Sequence, residues 1–132
     1  MILVDTNVLI DVMTGDEHWS AWSTRALDAA KTIDEVCIND AVYAELATGH
    51  ATMEVLDAAL ELAGAKMLVI PRPALFLAGH VFRRYRQRGG TKTGVLSDFF
   101  IGAHAAVIGA SLLTRDPRHV HSYFPSVTLI TP

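Results

Sequence analysis

The feature that most constrains this chain is a set of short apolar runs separated by stretches of helical period. The runs fall at residues 2–4, 36–38, 67–70, 112–114 and 127–130. They are rich in Val, Ile and Leu and largely lack polar alternation, the pattern of strands covered on both faces. Between them, residues 21–31 place Trp22, Ala26, Leu27 and Ala30 at helical spacing, and residues 51–63 do the same with Val55, Leu56, Ala59 and Leu60. Residues 73–88 carry Leu77, Val81 and Tyr85 on one stripe, while residues 98–108 are apolar nearly all round. Strands alternating with helices need crossover connections and hence a largely parallel sheet. The expected class is α/β: a single-domain α/β/α sandwich over residues 1–132, with a mainly parallel sheet of about five short strands. A length of 132 residues, 51% of them hydrophobic and 19% charged, suits one domain with a proper core and excludes disorder.

Several function classes drop out. Residues 99–113 are mostly apolar, but the run holds His104 and two glycines and is shorter than the roughly 20 residues a membrane span needs. The chain enters a strand at once, with no basic flank or cleavage-type segment. Its single cysteine, Cys37, cannot form an internal disulfide and reads as a small buried hydrophobe, so a cytoplasmic location and no membrane partner are expected. The six histidines show no His-Glu-x-x-His spacing and no cysteine cluster accompanies them, which argues against zinc. His104 reads as a hydrogen-bonded core histidine, His119 and His121 as surface residues. No glycine-rich loop ends in Lys-Ser/Thr, so nucleotide hydrolysis of that type is excluded. Trp19 and Trp22 read as core or interface side chains rather than a base-stacking platform.

Four acids stand where a carboxylate cluster can form: Asp5, Glu45, Asp98 and Asp116. Asp5 closes the first apolar run, and Asp116 follows Leu112-Leu113-Thr114-Arg115. Ligands collect outside the carboxyl ends of strands in an open parallel sheet, so acids leaving neighbouring strands meet there. Clustered carboxylates repel, and either a proton or a cation must intervene. A divalent metal held by aspartates does phosphate chemistry. Each acid also has a plainer reading. Asp5 and Asp98 can cap helices that follow them, Asp116 can cap one whose first residue is Pro117, and Glu45 can be a solvated side chain on a helix begun by Asp40.

Val4-Asp5-Thr6-Asn7-Val8-Leu9-Ile10-Asp11, Ala44-Glu45-Leu46, Leu96-Ser97-Asp98-Phe99-Phe100-Ile101 and Leu113-Thr114-Arg115-Asp116, in this order, resemble the acidic signature of PIN-domain ribonucleases. A compact chain of this length is similar to the VapC-type toxins among them. The resemblance spans the chain, although residues 46–96 match only in helical character. It implies a PIN-like fold and metal-dependent hydrolysis of RNA phosphodiester bonds. It assigns Asp5, Glu45, Asp98 and Asp116 as catalytic and metal-holding residues for Mg²⁺ or Mn²⁺. Asn7 and Thr114 would fix carboxylates or waters from behind, and Glu45 would either ligate or orient the attacking water. A cognate antitoxin inserting a segment into the active-site groove and a homodimer are further implications. The residues around Trp19–Trp22 and Leu56–Leu60 are candidates for the dimer surface. Two other classes remain open: phosphotransfer through an aspartyl phosphate on Asp5, against which Asn7 stands where a second Asp is usual, and a non-catalytic RNA- or protein-binding module.

The net charge of −3 becomes +1 once the four acids are set aside. Arg83, Arg84, Arg86, Arg88 and Lys92 form the densest positive cluster. Cations suit a helix C-terminus with Gly89 as the stop, and the same group can grip the phosphates of an RNA strand; both readings can hold. Arg115 and Arg118 flank Asp116, within reach of a scissile phosphate. The segment Gly89-Gly90-Thr91-Lys92-Thr93-Gly94 reads as a mobile loop or a simple helix stop.

Overall fold

A computed structural model describes residues 1–92 and 94–132. The run that opens the chain becomes the middle strand, β1 (Ile2–Val4). β2 (Val36–Asn39) lies on one side of it and β4 (Ser111–Leu113) on the other, with β3 (Lys66–Leu68) and β5 (Leu129–Ile130) at the edges. The order is β3-β2-β1-β4-β5 and every pairing is parallel, with Leu3 between Cys37 and Leu112. Successive side chains point to opposite faces of a strand. Since every residue of β1 and β2 is buried, both faces of the sheet centre are covered.

The cover comes from helices between the strands: α1 (Thr6–Thr14), α2 (Ser20–Ile33), α3 (Asp40–Ala47), α4 (Met53–Ala63), α5 (Arg72–Gln87), α6 (Val95–Ile108) and α7 (Arg118–Tyr123). The expected single-domain sandwich is therefore observed, with differences that have physical causes. β3 is an edge strand, and its Lys66 and Met67 are exposed rather than covered. It starts one residue early, because Cys37 pairs with Lys66. It ends at Leu68, and the N–H of Ile70 then donates to Asp40 Oδ2 at 3.2 Å. Leu56 and Leu60 face the core, 1% and 6% exposed, so they offer nothing to a dimer partner. Met53, Val55 and Leu62 of the same helix are the exposed ones.

The capping expectations fare unevenly. Asp40 does open α3, but Asn39 caps it, its Oδ1 accepting from the N–H of Val42 at 3.1 Å. Asn39 Nδ2 reaches His104 Nδ1 at 3.2 Å, and burial lowers the His104 pKa, so this core histidine is neutral and hydrogen-bonded as expected. Asp98 does not cap its helix. α6 begins at Val95, whose side chain is buried, and Asp98 falls in the first turn. Pro117 lies just before α7 rather than within it. α5 stops as expected, with Gly89 at φ +87°; Thr93 of the following loop lies outside the described residues.

One close approach sets α7 beside the sheet end. A Cβ on Gly102 would stand 2.5 Å from the Phe124 ring, so only glycine lets Phe124 settle against α6. Phe82 and Tyr85 of α5, Phe99 of α6, and His119, Tyr123 and Phe124 then form one aromatic cluster.

Candidate active site

The site starts from strand register. Val4 pairs with Leu113, and the N–H of Asp5 donates to the Leu113 carbonyl at 2.8 Å, so β1 and β4 end together. The chain order reverses here, with β2 on one side of β1 and β4 on the other, which places the crevice of an open sheet at this point. Asp5 occupies the cap position of α1, yet its side chain makes no cap hydrogen bond. Instead Asp5 Oδ2 accepts from Thr114 Oγ1 at 2.8 Å and from Asn7 Nδ2 at 3.3 Å. The Thr114 hydroxyl is wholly buried, and it also accepts from Asn7 Nδ2 at 3.2 Å and the N–H of Asp116 at 3.1 Å. Asn7 Oδ1 accepts from the N–H of Arg115 at 3.3 Å. Asn7 and Thr114 thus both hydrogen-bond to the Asp5 carboxylate.

The other acids arrive from three elements. Glu45, half-buried on α3, accepts at Oε1 from Thr6 Oγ1 at 2.8 Å and Ser97 Oγ at 2.7 Å. Asp98 on α6 lies 3.3 Å from His119 Nδ1 through Oδ2. Asp116, exposed after β4, is gripped by Arg118, whose Nε and Nη2 donate at 2.8 and 2.7 Å.

Electrostatics joins them. Burial pushes Asp5 up to about 6, with repulsion from Asp98 and Glu45 adding to it and the Thr114 hydrogen bond opposing it. Burial also raises Asp98, against the His119 hydrogen bond, with further repulsion from Glu45 and Asp116. Asp116 is lowered, chiefly by its hydrogen bonds from Arg118. The groups holding Asp5 and Glu45 are hydroxyls and an amide, which orient a carboxylate without neutralising it.

Such a cluster suits a hard divalent cation. Among the described residues, no three His, Cys, Asp or Glu side chains are gathered closely enough to cage an ion. Mg²⁺ does not need a cage: it binds through one or two carboxylates and keeps several waters. Two repelling acids with raised pKa, Asp5 held by neutral donors and Asp98 beside the His119 imidazole, suit that requirement.

A comparison with known families bears on this geometry. A PIN-domain model matches residues 2–124. The chain belongs to the PIN-domain family. Solved structures with the same fold include VapBC2 of Rickettsia felis bound to a promoter DNA fragment (TM-score 0.74, 19% identity, covering 100% of this chain and 99% of that one). Others are a toxin–antitoxin complex of Klebsiella pneumoniae (0.70, 21%, covering 100% and 98%) and FitAcB of Neisseria gonorrhoeae (0.68, 20%, covering 98% and 96%). No curated protein matches the chain in sequence.

The cations of this PIN domain that were expected to meet RNA divide into two groups. Arg115 Nε donates to Asp11 Oδ2 at 2.8 Å, and its guanidinium lies 5.4 Å from the centre of the Trp19 ring. Asp11 is 1% exposed and also accepts from Ser23 Oγ at 2.8 Å, so Arg115 locks β4 to α1 and α2. Arg118 is likewise ion-paired, to Asp116. Arg83, Arg84, Arg86, Arg88 and Lys92 are exposed around the end of α5. There Arg88 lies over Tyr123 and Tyr85 stands edge-on to His119, one ring away from Asp98.

Sequence reasoning missed Thr6, Asp11, Ser23, Ser97 and His119. Asp11 had left a signal, an acid on the same helical stripe as the apolar Val8 and one turn on from Asn7. His119, expected on the surface, is half-buried between aromatic rings, while His121 is exposed as expected. Trp19 and Trp22 are half-buried, edge to face at 6.2 Å.

Proposed function

We propose that this PIN domain is a metal-dependent endoribonuclease, the toxin component of a toxin–antitoxin pair of the VapC type. The observation that supports this reading is the mutual repulsion of Asp5, Glu45 and Asp98 around the end of β1, with Asp5 raised to about 6 and held by a hydroxyl and an amide. Asp5 and Asp98 would hold Mg²⁺ or Mn²⁺, with Asp116 and Glu45 reaching it directly or through waters. When bound, the metal lowers the pKa of a water and stabilises charge on the phosphate. The chain's own residues prepare that chemistry. Thr114 and Asn7 fix the Asp5 carboxylate, and Thr6 and Ser97 fix Glu45 so that it can orient a water. The arginines at the end of α5 would hold the RNA backbone, and Arg118 stands ready to exchange Asp116 for a phosphate.

An antitoxin partner is supported by toxin–antitoxin complexes among the structures sharing this fold, and by the surface itself. An apolar groove of about 380 Å³ runs between α1, α2 and α4, lined by Met13, Leu27, Val55, Ala59 and Leu62. A smaller hollow of about 120 Å³, bordered by Glu45, shares Met13 and His50 with it. A helical segment seated in the groove could extend to the acids. A second apolar trough, along Ala41, Ala44, Leu96 and Phe100, is the better candidate for a homodimer contact than Trp19–Trp22. No described helix is long and apolar enough to cross a membrane.

The decisive experiment is cleavage of a structured RNA mixture by partner-free protein with Mg²⁺ or Mn²⁺ and then with EDTA. Asp5→Asn and Asp98→Asn run beside it. Metal-dependent cleavage lost in both variants supports the reading; RNA untouched under every condition, with no divalent-metal binding, defeats it.

A further inference from the structure

Each acid of the site has its own holder, and the one that holds Asp98 is neither an amide nor a hydroxyl. Among the described residues, the side chain within hydrogen-bonding distance of the Asp98 carboxylate is His119, whose Nδ1 lies 3.3 Å from Oδ2. An ionised carboxylate can only accept, so Nδ1 must carry the hydrogen. The imidazole is not free to turn away. Tyr85 of α5 and Phe99 of α6 meet it edge to face, with ring centres 6.2 and 6.0 Å away and planes 81° and 78° from its own. Tyr123 on α7 packs against both aromatic rings, and the Gly102–Phe124 contact keeps α7 in place. Asp98 itself sits in the first turn of α6 and is not the cap residue of that helix.

We propose that His119 is the positioning residue of Asp98, clamped by Tyr85 and Phe99 so that the carboxylate is aimed at the cation site shared with Asp5. The inference rests on the nuclease reading for what Asp98 holds, but not for the pairing itself. Hydrogen-bond partners behind a metal-holding group change metal affinity by about 10- to 100-fold when removed. Asn places an N–H donor close to the position of Nδ1, whereas Ala provides none.

The test measures Mn²⁺ affinity by calorimetry for the full chain, for His119→Ala, His119→Asn and Asp98→Asn, and for the His119→Ala/Asp98→Asn double variant, each first shown to be folded by circular dichroism. His119→Ala is expected to weaken Mn²⁺ binding about 10-fold and His119→Asn by no more than about threefold. Adding His119→Ala to Asp98→Asn should change nothing beyond about twofold, because the partner is already gone. An unchanged affinity in folded His119→Ala, equal losses in Ala and Asn, or an additive loss in the double variant would each overturn the proposal. A second readout needs no metal or activity: ¹⁵N spectroscopy of the metal-free protein at pH 8 should find the proton on Nδ1 and a shifted signal in Asp98→Asn. A proton on Nε2 alone would overturn the pairing. If the wild-type chain binds no Mn²⁺, the nuclease reading falls, and the position of that proton decides the pairing by itself.

Discussion

Asp5 and Asp116 follow adjacent strands, β1 and β4, at the carboxyl end of the sheet, yet their charges are handled in opposite ways. Asp5 is 9% exposed, held by a hydroxyl and an amide, and raised to about 6. Asp116 stands in solvent under a two-pronged grip from Arg118 and is lowered. Asp11, one helix away, is as buried as Asp5 but has Arg115 against it. The fold can therefore supply a cation to a buried acid and does so at Asp11. Withholding one from Asp5 and Glu45, while fixing both with neutral donors, leaves negative charge for something that arrives from outside.

The largest effect should come from the acids whose pKa burial raises. Asp98→Asn removes charge with little change of shape and should lower kcat/KM on RNA by about a thousandfold or more, a loss of several kcal/mol of metal-derived stabilisation. Steady-state cleavage with Mn²⁺ measures it, and a variant within tenfold of wild type would mean the free charge is not what the chemistry uses. Next comes the compensated interior. Arg115→Met leaves Asp11 buried and unpaired and should cost about 3 to 5 kcal/mol in urea unfolding, with most of it recovered when Asp11→Asn is added. If the single variant is as stable as wild type, Asp11 and Asp5 do not differ in the way argued.

The third prediction turns on pH. The folded pKa of Asp5, about 6, lies above its ordinary 3.8, so the folded state holds the proton more tightly. The stabilisation this gives is complete below about pH 4 and is lost as pH rises through about 6, a decline on the order of 3 kcal/mol. Asp5→Asn should flatten that decline, and millimolar Mg²⁺ should oppose it in the wild type by binding the folded state. Thermal melts between pH 4 and 8 measure both, and an identical pH dependence in the two proteins would contradict the assignment. Smallest is the exposed rim: Arg118→Ala should leave the urea unfolding midpoint close to that of wild type, because a solvated pair contributes little.

Much of this was legible in the chain. An apolar run closed by Asp5, and another closed by Thr114, marked the ends of β1 and β4 and hence their neighbouring exits from the sheet. Central strands read well because burial on both faces removes polar residues. The edges read less well: β3 carries Lys66, and β5 is only two residues long. Asp98 was found through its neighbours in sequence, but the true start of α6 at Val95 was hidden by the glycine-rich loop before it. Thr6 and Ser97 lie inside the quoted signature and His119 close after Asp116, but nothing in the chain marked them as donors. A hydroxyl or imidazole becomes a holder only when a distant element delivers an acid to it, and spacing along one helix does not record that.

The bond from Thr114 to Asp5 joins residues 109 positions apart, and the one from Asn7 to Thr114 spans 107. Contacts of that range form only after the chain between them has been drawn together. Until the segment carrying Thr114 has folded beside β1, the Asp5 carboxylate lacks its hydroxyl donor, so this contact reports on the docking of β4 rather than on local structure.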